Sequence, residues 1–436
     1  SSILAGVNSA KDGDIVNVHP GTYTGFGNSN IYFSGKEITL RSTAGPDSTI
    51  IDCQGASNTR GFVFEPHGGY AGETENTVLE GFTIRNGYLS NGSDGAGIYI
   101  HSSGPVINNC IITSNTVYHY TNEASSLGGG VYAYNSNAVF NNCVISENRT
   151  DARVNHNGSY DAYSYGGGIS IEGSSNVTLS GCTITNNTAY VYDIHNNGSS
   201  VGYVKGGGVY ISVSGTTTII DSEISHNNTD WEGHNHDIRN GGLYINAGTT
   251  NIINTTIAYN ERQGLYRDGG TLNVISSIIW ANEYNDSGDI NYSYTNRQGS
   301  APGGDGNISK DPWFISSNDL RLIPGSVCIN RGDPNEDDAD GTRRDMGAYI
   351  YEDTYQGSVW HVSSEGNQLE GDGSSSNPLS SILAAVNLAN EGDEIIVNEG
   401  TYTGQGNSNI YFLGKSVNLH SAGDPESTII DCEDVS

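Results

Sequence analysis

The segment VFNNCVISEN at residues 139–148 decides the fold, because it recurs as TLSGCTITNN at residues 178–187. In both segments an apolar residue is followed by Cys three positions later, by Ile two positions after that, and by Asn three positions further on. Seven segments of the chain fit this template, with 22 to 40 residues between one apolar position and the next. The repeat length is irregular, so the extra residues are expected in loops.

Aligning the seven segments gives four columns of like residues. The apolar column contains Leu79, Ile107, Phe140, Leu179, Ile219, Ile252 and Val274. The small-residue column, with one exception at its start, contains Phe82, Cys110, Cys143, Cys182, Ser222, Thr255 and Ser277. The Ile column contains Ile84, Ile112, Ile145, Ile184, Ile224, Ile257 and Ile279. The last column contains Asn115, Asn148, Asn187, Asn227, Asn260 and Asn282, with Gly87 in the first segment.

The column spacing predicts an all-β fold of the solenoid type. Residues two apart on a strand share a face, so the small and Ile columns both point inward, and the three-residue step before them implies a bend. Short strands separated by bends, with like residues stacked about 4.8 Å apart, describe a right-handed parallel β-helix. The Asn column is then an internal ladder of side-chain amides at a turn, although Asn is also an ordinary turn former.

A second, longer repeat divides the chain. Residues 1–53 align without a gap on residues 380–432, and 34 of the 53 positions are identical. We therefore expect a first β-helix unit at residues 1–352, which lacks its first strand. An acidic Gly/Ser-rich linker with the first strand of the next unit follows at residues 353–379, and a homologous unit starts at residues 380–436. The apolar pattern of Ser2–Ala10 and Ser380–Ala389 predicts a short helix that caps the first coil of each unit.

Composition narrows the function. The chain has 436 residues, 49 acidic against 18 basic side chains and a formal net charge of −31. This balance argues against nucleic acid, which needs Lys and Arg clusters. The apolar runs are too short to span a membrane. Divalent cations and neutral sugars suit the charge better, and an extracellular or cell-surface location is expected.

The boundaries of the long repeat carry a family resemblance. The opening of a unit contains Trp360-His361-Val362-Ser363 and Gly400-Thr401-Tyr402, and its close contains Asp311-Pro312-Trp313-Phe314 and Met346-Gly347-Ala348-Tyr349. On these motifs and the columns, the chain resembles the pectate-lyase-like superfamily of right-handed β-helices, and within it extracellular tandem-repeat proteins. The resemblance implies the fold more strongly than an activity, because the superfamily includes lyases, hydrolases, adhesins and surface proteins.

The resemblance also sets a test for catalysis. Lyases of the superfamily commonly use a Lys or Arg base beside calcium held by Asp, and the hydrolases use several Asp on adjacent coils. Lys205 is the only Lys between Lys36 and Lys310. Four Asp residues are expected in loops instead of on a common strand face, namely Asp161, Asp193, Asp230 and Asp237. No catalytic residue is therefore assigned.

The segments after the Asn column are long, and they leave the same corner of successive coils. Their aromatic and His residues suit sugar stacking, contact with a neighbouring molecule, or a transition metal; exposed polar loops are the simpler alternative. His156 and His195 both lie eight residues after their Asn, and His234 and His236 flank the equivalent position. The candidate contact residues are Tyr118, His119, Tyr120, His156, Tyr160, Tyr192, His195, Trp231, His234 and His236.

Three further features yield expectations. Carboxylates alternate before Gly341, so Glu336, Asp338 and Asp340 are candidate calcium ligands, with a solvated acidic turn as the alternative. Calcium is the only cofactor that the sequence leads us to expect. Cys110, Cys143 and Cys182 are expected as free, buried thiols. Strand residues that alternate with inward ones predict an exposed stripe formed by Tyr99, Tyr132, Tyr210 and Tyr244.

The leading functional hypothesis is a non-enzymatic extracellular structural protein. Tandem units would build a fibre, stalk or surface adhesin whose partners are copies of itself and surface carbohydrate. The alternative is a β-helix that binds or cleaves polysaccharide, as a lyase or hydrolase.

Overall fold

A computed structural model describes residues 2–90, 94–121, 123–154, 161–193, 201–233, 236–284, 286–352, 354–412 and 414–432, with the backbone alone at Asp193 and His236. Two compact units divide the chain, Ser1–Tyr292 and Ser293–Ser436. These two units are the parts of the chain whose residues contact one another most. The repeat boundaries at residues 352 and 380 come from the sequence and stay a prediction. None of the described helices is both long and apolar enough to cross a bilayer.

The first unit is a right-handed parallel β-helix, which confirms the predicted fold class. Its largest sheet, sheet 1, has two arms that converge on two long strands. One arm contains Ile15–Val18, Thr39–Ser42, Val78–Glu80, Val106–Asn108, Val139–Asn141 and Thr178–Ser180. The other arm contains Ile31–Tyr32, Phe62–Phe64, Ile98–His101, Val131–Tyr134 and Ile169–Gly173. The long strands and those that follow are Val209–Ile220, Leu243–Ile253, Leu265–Arg267, Thr271–Ile275 and Asn291–Ser293.

Sheet 2 forms the next face of the coil, and all its pairings in this unit are parallel. Its strands here are Gly21–Tyr23, Thr49–Asp52, Thr83–Arg85, Ile111–Thr113, Val144–Ser146, Thr183–Thr185, Glu223–Ser225, Thr256–Ala258 and Ile278–Trp280. The bend between sheets 1 and 2 is a single residue with positive φ, as at Asn109 (50°) and Asn142 (52°). Asn tolerates this left-handed conformation better than most residues, which explains the three-residue step in the template.

The core is the stack of inward columns. Phe140 pairs in register with Leu179 on sheet 1, and Ile145 pairs with Ile184 on sheet 2. All four side chains are fully buried, as are the free thiols of Cys110 and Cys143. Each coil therefore places like residue on like residue, and the core is one continuous apolar cluster along the unit.

The Asn column forms an unbroken ladder inside the turn after sheet 2. Each amide Nδ2 donates to the Oδ1 of the next Asn at 3.0 Å, from Asn115 through Asn148, Asn187, Asn227 and Asn260 to Asn282. Each Oδ1 also accepts the backbone N–H of the preceding Asn, at 3.0 to 3.1 Å. The amides therefore satisfy buried backbone groups that would otherwise lack partners.

The long corner segments are strands, not the loops that the sequence suggested. They form two further parallel sheets that extend the coils as a two-layered wing. Sheet 3 contains Tyr88–Ser90, Thr116–Thr121, Arg149–Val154, Thr188–Asp193 and Asn228–Gly233. Sheet 4 contains Ala124–Leu127, Ala162–Tyr165, Gly202–Lys205 and His236–Arg239. Between the layers lies a small apolar core of Ala and Val, including Ala152, Val191 and Val204.

The wing corrects two expectations. Asp193, Asp230 and Asp237 lie in strands of sheets 3 and 4 instead of in loops. The Tyr stripe is largely covered, since Tyr132, Tyr210 and Tyr244 are at most 9% exposed. Tyr rings on successive coils stack 5.4 to 5.8 Å apart, and Tyr165 of the wing packs 4.6 Å from Tyr210. Stacking between coils buries these rings, so the sequence pattern gave the right face but the wrong exposure.

The predicted capping helix is present at the start of both copies. Helix α1 spans Ile3–Ser9, and Ser2 caps it by accepting the N–H of Ala5. The side chain of Lys36 donates to the carbonyls of Val7 and Asn8 at 2.7 and 2.8 Å, which satisfies the end of the helix.

The second unit contains the same helix in its homologous copy, α2, at Ile382–Leu388. Its strands are Asn296–Arg297, an antiparallel pair Phe314–Ser316 and Asp319–Leu322, a parallel sheet of Val359–Val362, Glu394–Val397 and Asn418–Ser421, and the parallel pair Gly400–Tyr402 and Thr428–Ile430.

Residues 312–327 of the second unit, here called the closing segment, pack on α2. The Nδ2 of Asn387 donates to the carbonyl of Gly325 at 2.6 Å. A Cβ placed on Gly325 would lie 2.1 Å from the Cα of Ala384, so this glycine is required by a close approach of two backbones. Ala384 and Leu383 are only 3% and 4% exposed.

Candidate functional site

A cleft of about 530 Å³ opens on the second arm of sheet 1, near the start of the first unit. Its floor is an outward-facing register column in which Tyr32 pairs with Val63 and Val63 pairs with Tyr99. The neighbouring residues of each strand point into the core, so the fold presents this column to the cleft. The lining residues are Asn30, Tyr32, Asn58, Arg60, Val63, Glu65, Leu89, Asp94 and Tyr99.

Arg60 lies over one wall of the cleft. Its guanidinium carbon is 4.8 Å from the centre of the Tyr99 ring, and its backbone N–H donates to the Oδ1 of Asn30 at 3.0 Å. Burial lowers the pKa of Arg60, and the nearby Tyr and carboxyl groups oppose that shift. The stack on Tyr99 holds the cationic head in place while leaving its N–H groups free to contact a ligand.

Asp94 faces Arg60 across the cleft. The pKa of Asp94 is raised to about 7, chiefly by burial. The N–H of Leu127, which donates to Oδ1 at 3.0 Å, and the positive charge of Arg60 oppose this shift, and the negative charge of Glu172 adds to it. Burial also raises the pKa of Glu172. A carboxyl group that titrates near neutral pH can either accept or donate a proton, which is how acid–base groups behave at functional sites.

The pKa of Asp94 makes stability depend on pH. Between pH 4 and pH 7 the folded chain keeps a proton that the unfolded chain has lost, so this carboxyl lowers the free energy of unfolding as the pH rises. We expect Asp94→Asn to be more stable than the parent at pH 8, relative to their difference at pH 4, by about 4 kcal/mol, because the two pKa values differ by about three units. Urea unfolding of both proteins at the two pH values measures this; parallel pH profiles would contradict it.

The sequence reasoning missed this cleft. Asn30, Asn58 and Asp94 belong to none of the four columns, and Arg60 and Asp94 are 34 positions apart in a stretch with irregular repeat length. The sequence predicts the aromatic part of the cleft only in part, because its strand pattern places Tyr99 on an outward face. What brings the other residues to that face is the register Tyr32–Val63–Tyr99, which follows only from the pairing of the strands.

The corner residues chosen from sequence fall at several places on the wing. Tyr118 stacks on Tyr88 at 6.2 Å and on the Arg153 guanidinium at 5.3 Å. The Tyr192 ring also lies beside Arg153, at 5.7 Å, while Tyr120 is 46% exposed. Trp231, 39% exposed, contacts the guanidinium of Arg262 at 4.7 Å. Tyr118, Tyr120 and Tyr192 follow the outer face of sheet 3. Trp231 pairs in register with Val191 of the inward column, at the last strand of the sheet.

The His residues do not form a described cluster. His119 points into the wing, where its Nδ1 contacts the carbonyl of Ser125 and burial lowers its pKa. His236 lies in the strand His236–Arg239. His156, Tyr160, His195 and His234 lie outside the described residues. Within the described ranges, His, Cys, Asp and Glu side chains form no group of three that could hold a metal ion.

The acidic stretch folds into a compact turn in the second unit. The Asp338 side chain is buried, pairs with Arg344 at 3.1 Å and accepts the N–H of Asp345 at 2.9 Å. Burial raises the pKa of Asp338. Asp340 accepts the N–H and hydroxyl of Thr342 within its own turn, and the carbonyl of Glu336 accepts the N–H of Arg344. Calcium at Glu336, Asp338 and Asp340 stays a prediction.

Lys205 is the one Lys of the central coils that could be compared with the Lys base of the superfamily's lyases. It lies on sheet 4, where its Nζ is 4.8 Å from the centre of the Tyr244 ring and close to the rings of Tyr165 and Tyr203. Burial lowers its pKa, while Asp237 and Asp268 raise it. The ammonium is therefore part of an aromatic and charged surface on the wing, separate from the residues that line the Arg60–Asp94 cleft.

One comparison with known protein families agrees with the fold. Residues 11–203 match the family model described as right handed beta helix region. A solved structure of pectate lyase Pel9A is similar at 16% identity, with a TM-score of 0.39, covering 80% of this chain and 90% of that one. A structure of the PL6 family alginate lyase AlyGC, in a mutant form, is similar at 13% identity, with a TM-score of 0.19, covering 97% of this chain and 66% of that one.

A search of curated proteins finds no match to the chain. The family model covers the first coils, and the columns, the bends and the parallel pairing continue the same architecture to the end of the first unit. The resemblance to right-handed β-helices is thus confirmed for the fold: the chain is a right-handed parallel β-helix protein.

Proposed function

We propose that the protein binds a polysaccharide in the Arg60–Asp94 cleft, outside the cell. The observation that carries this proposal is the lining of the cleft, where two Tyr rings, two Asn amides, one guanidinium and two carboxyls face one open groove. Tyr rings pack on the apolar faces of sugars, and amide, carboxyl and guanidinium groups hydrogen-bond hydroxyls. A solenoid groove also runs along an extended face, which suits a polymer.

The charge of the site favours neutral sugars. The cleft holds Glu65 and Asp94 against the single cation Arg60, and the chain as a whole has a net charge of −31. This field repels polyanions, and the repulsion grows as the ionic strength falls. A polymer of neutral sugars meets no such penalty, while a uronate polymer would depend on Arg60 or on added divalent cations.

Binding is tested by isothermal titration of neutral and uronate oligosaccharides into the parent and two variants. We expect Tyr99→Ala to weaken binding about tenfold, because it removes both a stacking surface and the support of Arg60. The matched change Tyr120→Ala, on the exposed end of sheet 3, is expected to leave the affinity within twofold. Loss of binding with Tyr120→Ala but not with Tyr99→Ala would move the site to the wing. No heat with any oligosaccharide would contradict the proposal.

The cleft also has a group suited to cleavage. With a pKa of about 7, Asp94 can donate or accept a proton at neutral pH, and Arg60 can stabilise negative charge beside it. If the bound polysaccharide is cleaved there, reducing ends appear with the parent and not with Asp94→Asn, while Asp94→Asn still binds. The same titration series, followed by a reducing-end assay at pH 5 to 8, separates a binding protein from an enzyme.

A second function, as a tandem structural element, is favoured by a different observation. In the second unit, the opening helix of one copy of the repeat packs directly under the close of another, through Ala384, Asn387 and Gly325. We propose that this contact joins consecutive repeats into a rod, as a stalk or fibre at the cell surface needs. The sugar-binding cleft and the joint use different residues, so one function does not exclude the other.

A further inference from the structure

Helix α1 and Phe26 form a surface whose homologous counterpart, on helix α2, is covered by the closing segment. We propose that this surface, defined by Leu4, Ala5, Asn8, Phe26 and Gly27, is a docking site for the closing segment of another copy of this repeat. The inference rests on the rod role proposed above and names the residues that make the joint. It is independent of sugar binding, because none of the five residues lines the Arg60–Asp94 cleft.

The first line of support is that α1 and α2 have the same local structure. The hydroxyls of Ser2 and Ser381 cap the two helices by accepting the backbone N–H three residues on. The first residue of each helix donates its N–H to an Asn Oδ1, from Ile3 to Asn28 at 2.9 Å and from Ile382 to Asn407 at 3.0 Å. At the other end, Lys36 and Lys415 donate to carbonyls of the last turn, in the same manner in both copies. The helices are therefore held in equivalent positions on their own coils.

The second line of support is a difference in burial at equivalent positions. Ala384 and Leu383 are covered in the second unit, whereas Ala5 is exposed and Leu4 is only partly buried. Asn387 donates to the Gly325 carbonyl, while its equivalent Asn8 is exposed. Both copies have the small Ala and the Asn amide at these positions. The two contacts that the closing segment makes on α2 can therefore be made on α1 as well.

The third line of support is the position next to the helix. In the second unit, a Cβ placed on Gly406 would lie 2.7 Å from the Oγ of Ser381 and 2.9 Å from the Trp313 ring, so the absence of a side chain makes room for both the cap and the indole. The equivalent Gly27 has the same left-handed backbone, with φ at 79° against 83°, and no Trp beside it. Its neighbour Phe26 is fully exposed.

Phe26 shows what occupant the surface fits. Its equivalent, Gln405, lines a cavity of about 250 Å³ together with Trp313, Ile323 and Pro324 of the closing segment. A phenyl ring at this position would meet apolar side chains there. Burying a whole Phe side chain gains about 2 kcal/mol relative to leaving it in water, so Phe26 suits an apolar partner at this position.

The test is a tandem protein in which residues 1–379 are joined directly to Ser1 of the full chain. The inner α1 then follows residue 379 as α2 does, and the outer α1 of the same molecule is the matched control. Ala5→Cys is placed in either copy, in a Cys432→Ser background, since the other cysteines are buried. The rate of reaction with a fluorescent maleimide is measured for each variant.

We expect the inner Ala5→Cys to react at least about 30-fold more slowly than the outer one, because a covered thiol reacts only after local opening. Ala384→Cys in the same tandem shows that the existing joint has formed. Gly325→Ala in the first copy is expected to restore the inner reaction. Equal rates at the inner and outer sites, with Ala384→Cys protected, would overturn the proposal. So would protection that Gly325→Ala leaves unchanged, because the cover would then be another part of the repeat.

Discussion

Replacing Asn187 by leucine is expected to lower the free energy of unfolding of the first unit by about 3–6 kcal/mol. The substitution keeps the volume of the side chain but removes its amide from the middle of the ladder. The backbone N–H of Asn148 and the carbonyl of Ile145 lose their partners, and the Nδ2 of Asn148 loses one acceptor. Each buried group left without a partner costs about 1–3 kcal/mol. Urea unfolding followed by far-UV circular dichroism measures the loss.

The chain provides a matched control for this prediction in a second amide ladder. Asn176 donates to the Oδ1 of Asn137 at 3.2 Å and accepts the N–H of Thr216 at 3.0 Å, but it is exposed to water. Water replaces the lost bonds at this position, so Asn176→Leu should cost less than about 1 kcal/mol. Equal losses for the two variants would show that burial does not give the internal ladder its importance.

Introducing arginine at Ala384 should destabilise the second unit by about 3–5 kcal/mol. The Cα of Ala384 lies against the Gly325 backbone, and the residue is 3% exposed, so a long charged side chain has no space there and would be removed from water. We expect the closing segment to separate from α2 before the rest of the unit unfolds. Hydrogen exchange at residues 312–327 and 382–388 reports this separation directly.

The control for that variant is the equivalent position in the other copy. Ala5 has the same helix, the same cap and the same identity, but it is exposed. Ala5→Arg should therefore change stability by less than about 0.5 kcal/mol, as surface substitutions do. If Ala384→Arg were as mild as Ala5→Arg, the contact between Gly325 and α2 would contribute nothing, and the proposed joint would lose its basis.

The columns made the coil predictable, and local physics explains why. Ile145 and Ile184 recur with Cys and Asn at fixed distances, and each such residue contacts its own kind on the next coil. Because the same contacts recur on every coil, the same residue types recur in the sequence, and this recurrence can be recognised without the structure. The capping helices were predictable for a related reason, since the 53-residue duplication contains them twice.

The wing was not predictable, because its strands carry a misleading pattern. In Thr116–Thr121 the buried positions are Val117 and His119, and the outward ones include Tyr118. A polar ring inside and an aromatic ring outside invert the alternation by which a half-buried strand is usually identified. The outer Tyr rings contact the guanidinium of Arg153, which is 35 residues from Tyr118 and 37 from Tyr190 in the sequence. Such partners are set by pairing between coils, which a single sequence does not show.

The cleft was missed for the same reason. Arg60 and Asp94 come from segments that match no template, and their proximity follows from the strand register around Tyr99. The raised pKa of Asp94 depends on burial, which is a property of the assembled coils. Sequence could suggest an aromatic face on this arm, but not the charged pair beside it.

The internal amide ladder has a direction. From Asn115 to Asn260 each Nδ2 donates to the Oδ1 of the Asn on the next coil, toward the carboxy-terminal end, so the bonds between these amides all run in one direction. Each of these Nδ2 atoms also donates to a backbone carbonyl of the preceding coil. Aligned amide dipoles reinforce one another, so the unit has a permanent electrical axis as well as a chain direction. Any filament of such units is consequently polar, with two distinguishable ends. We expect growth or attachment at one end to differ from that at the other.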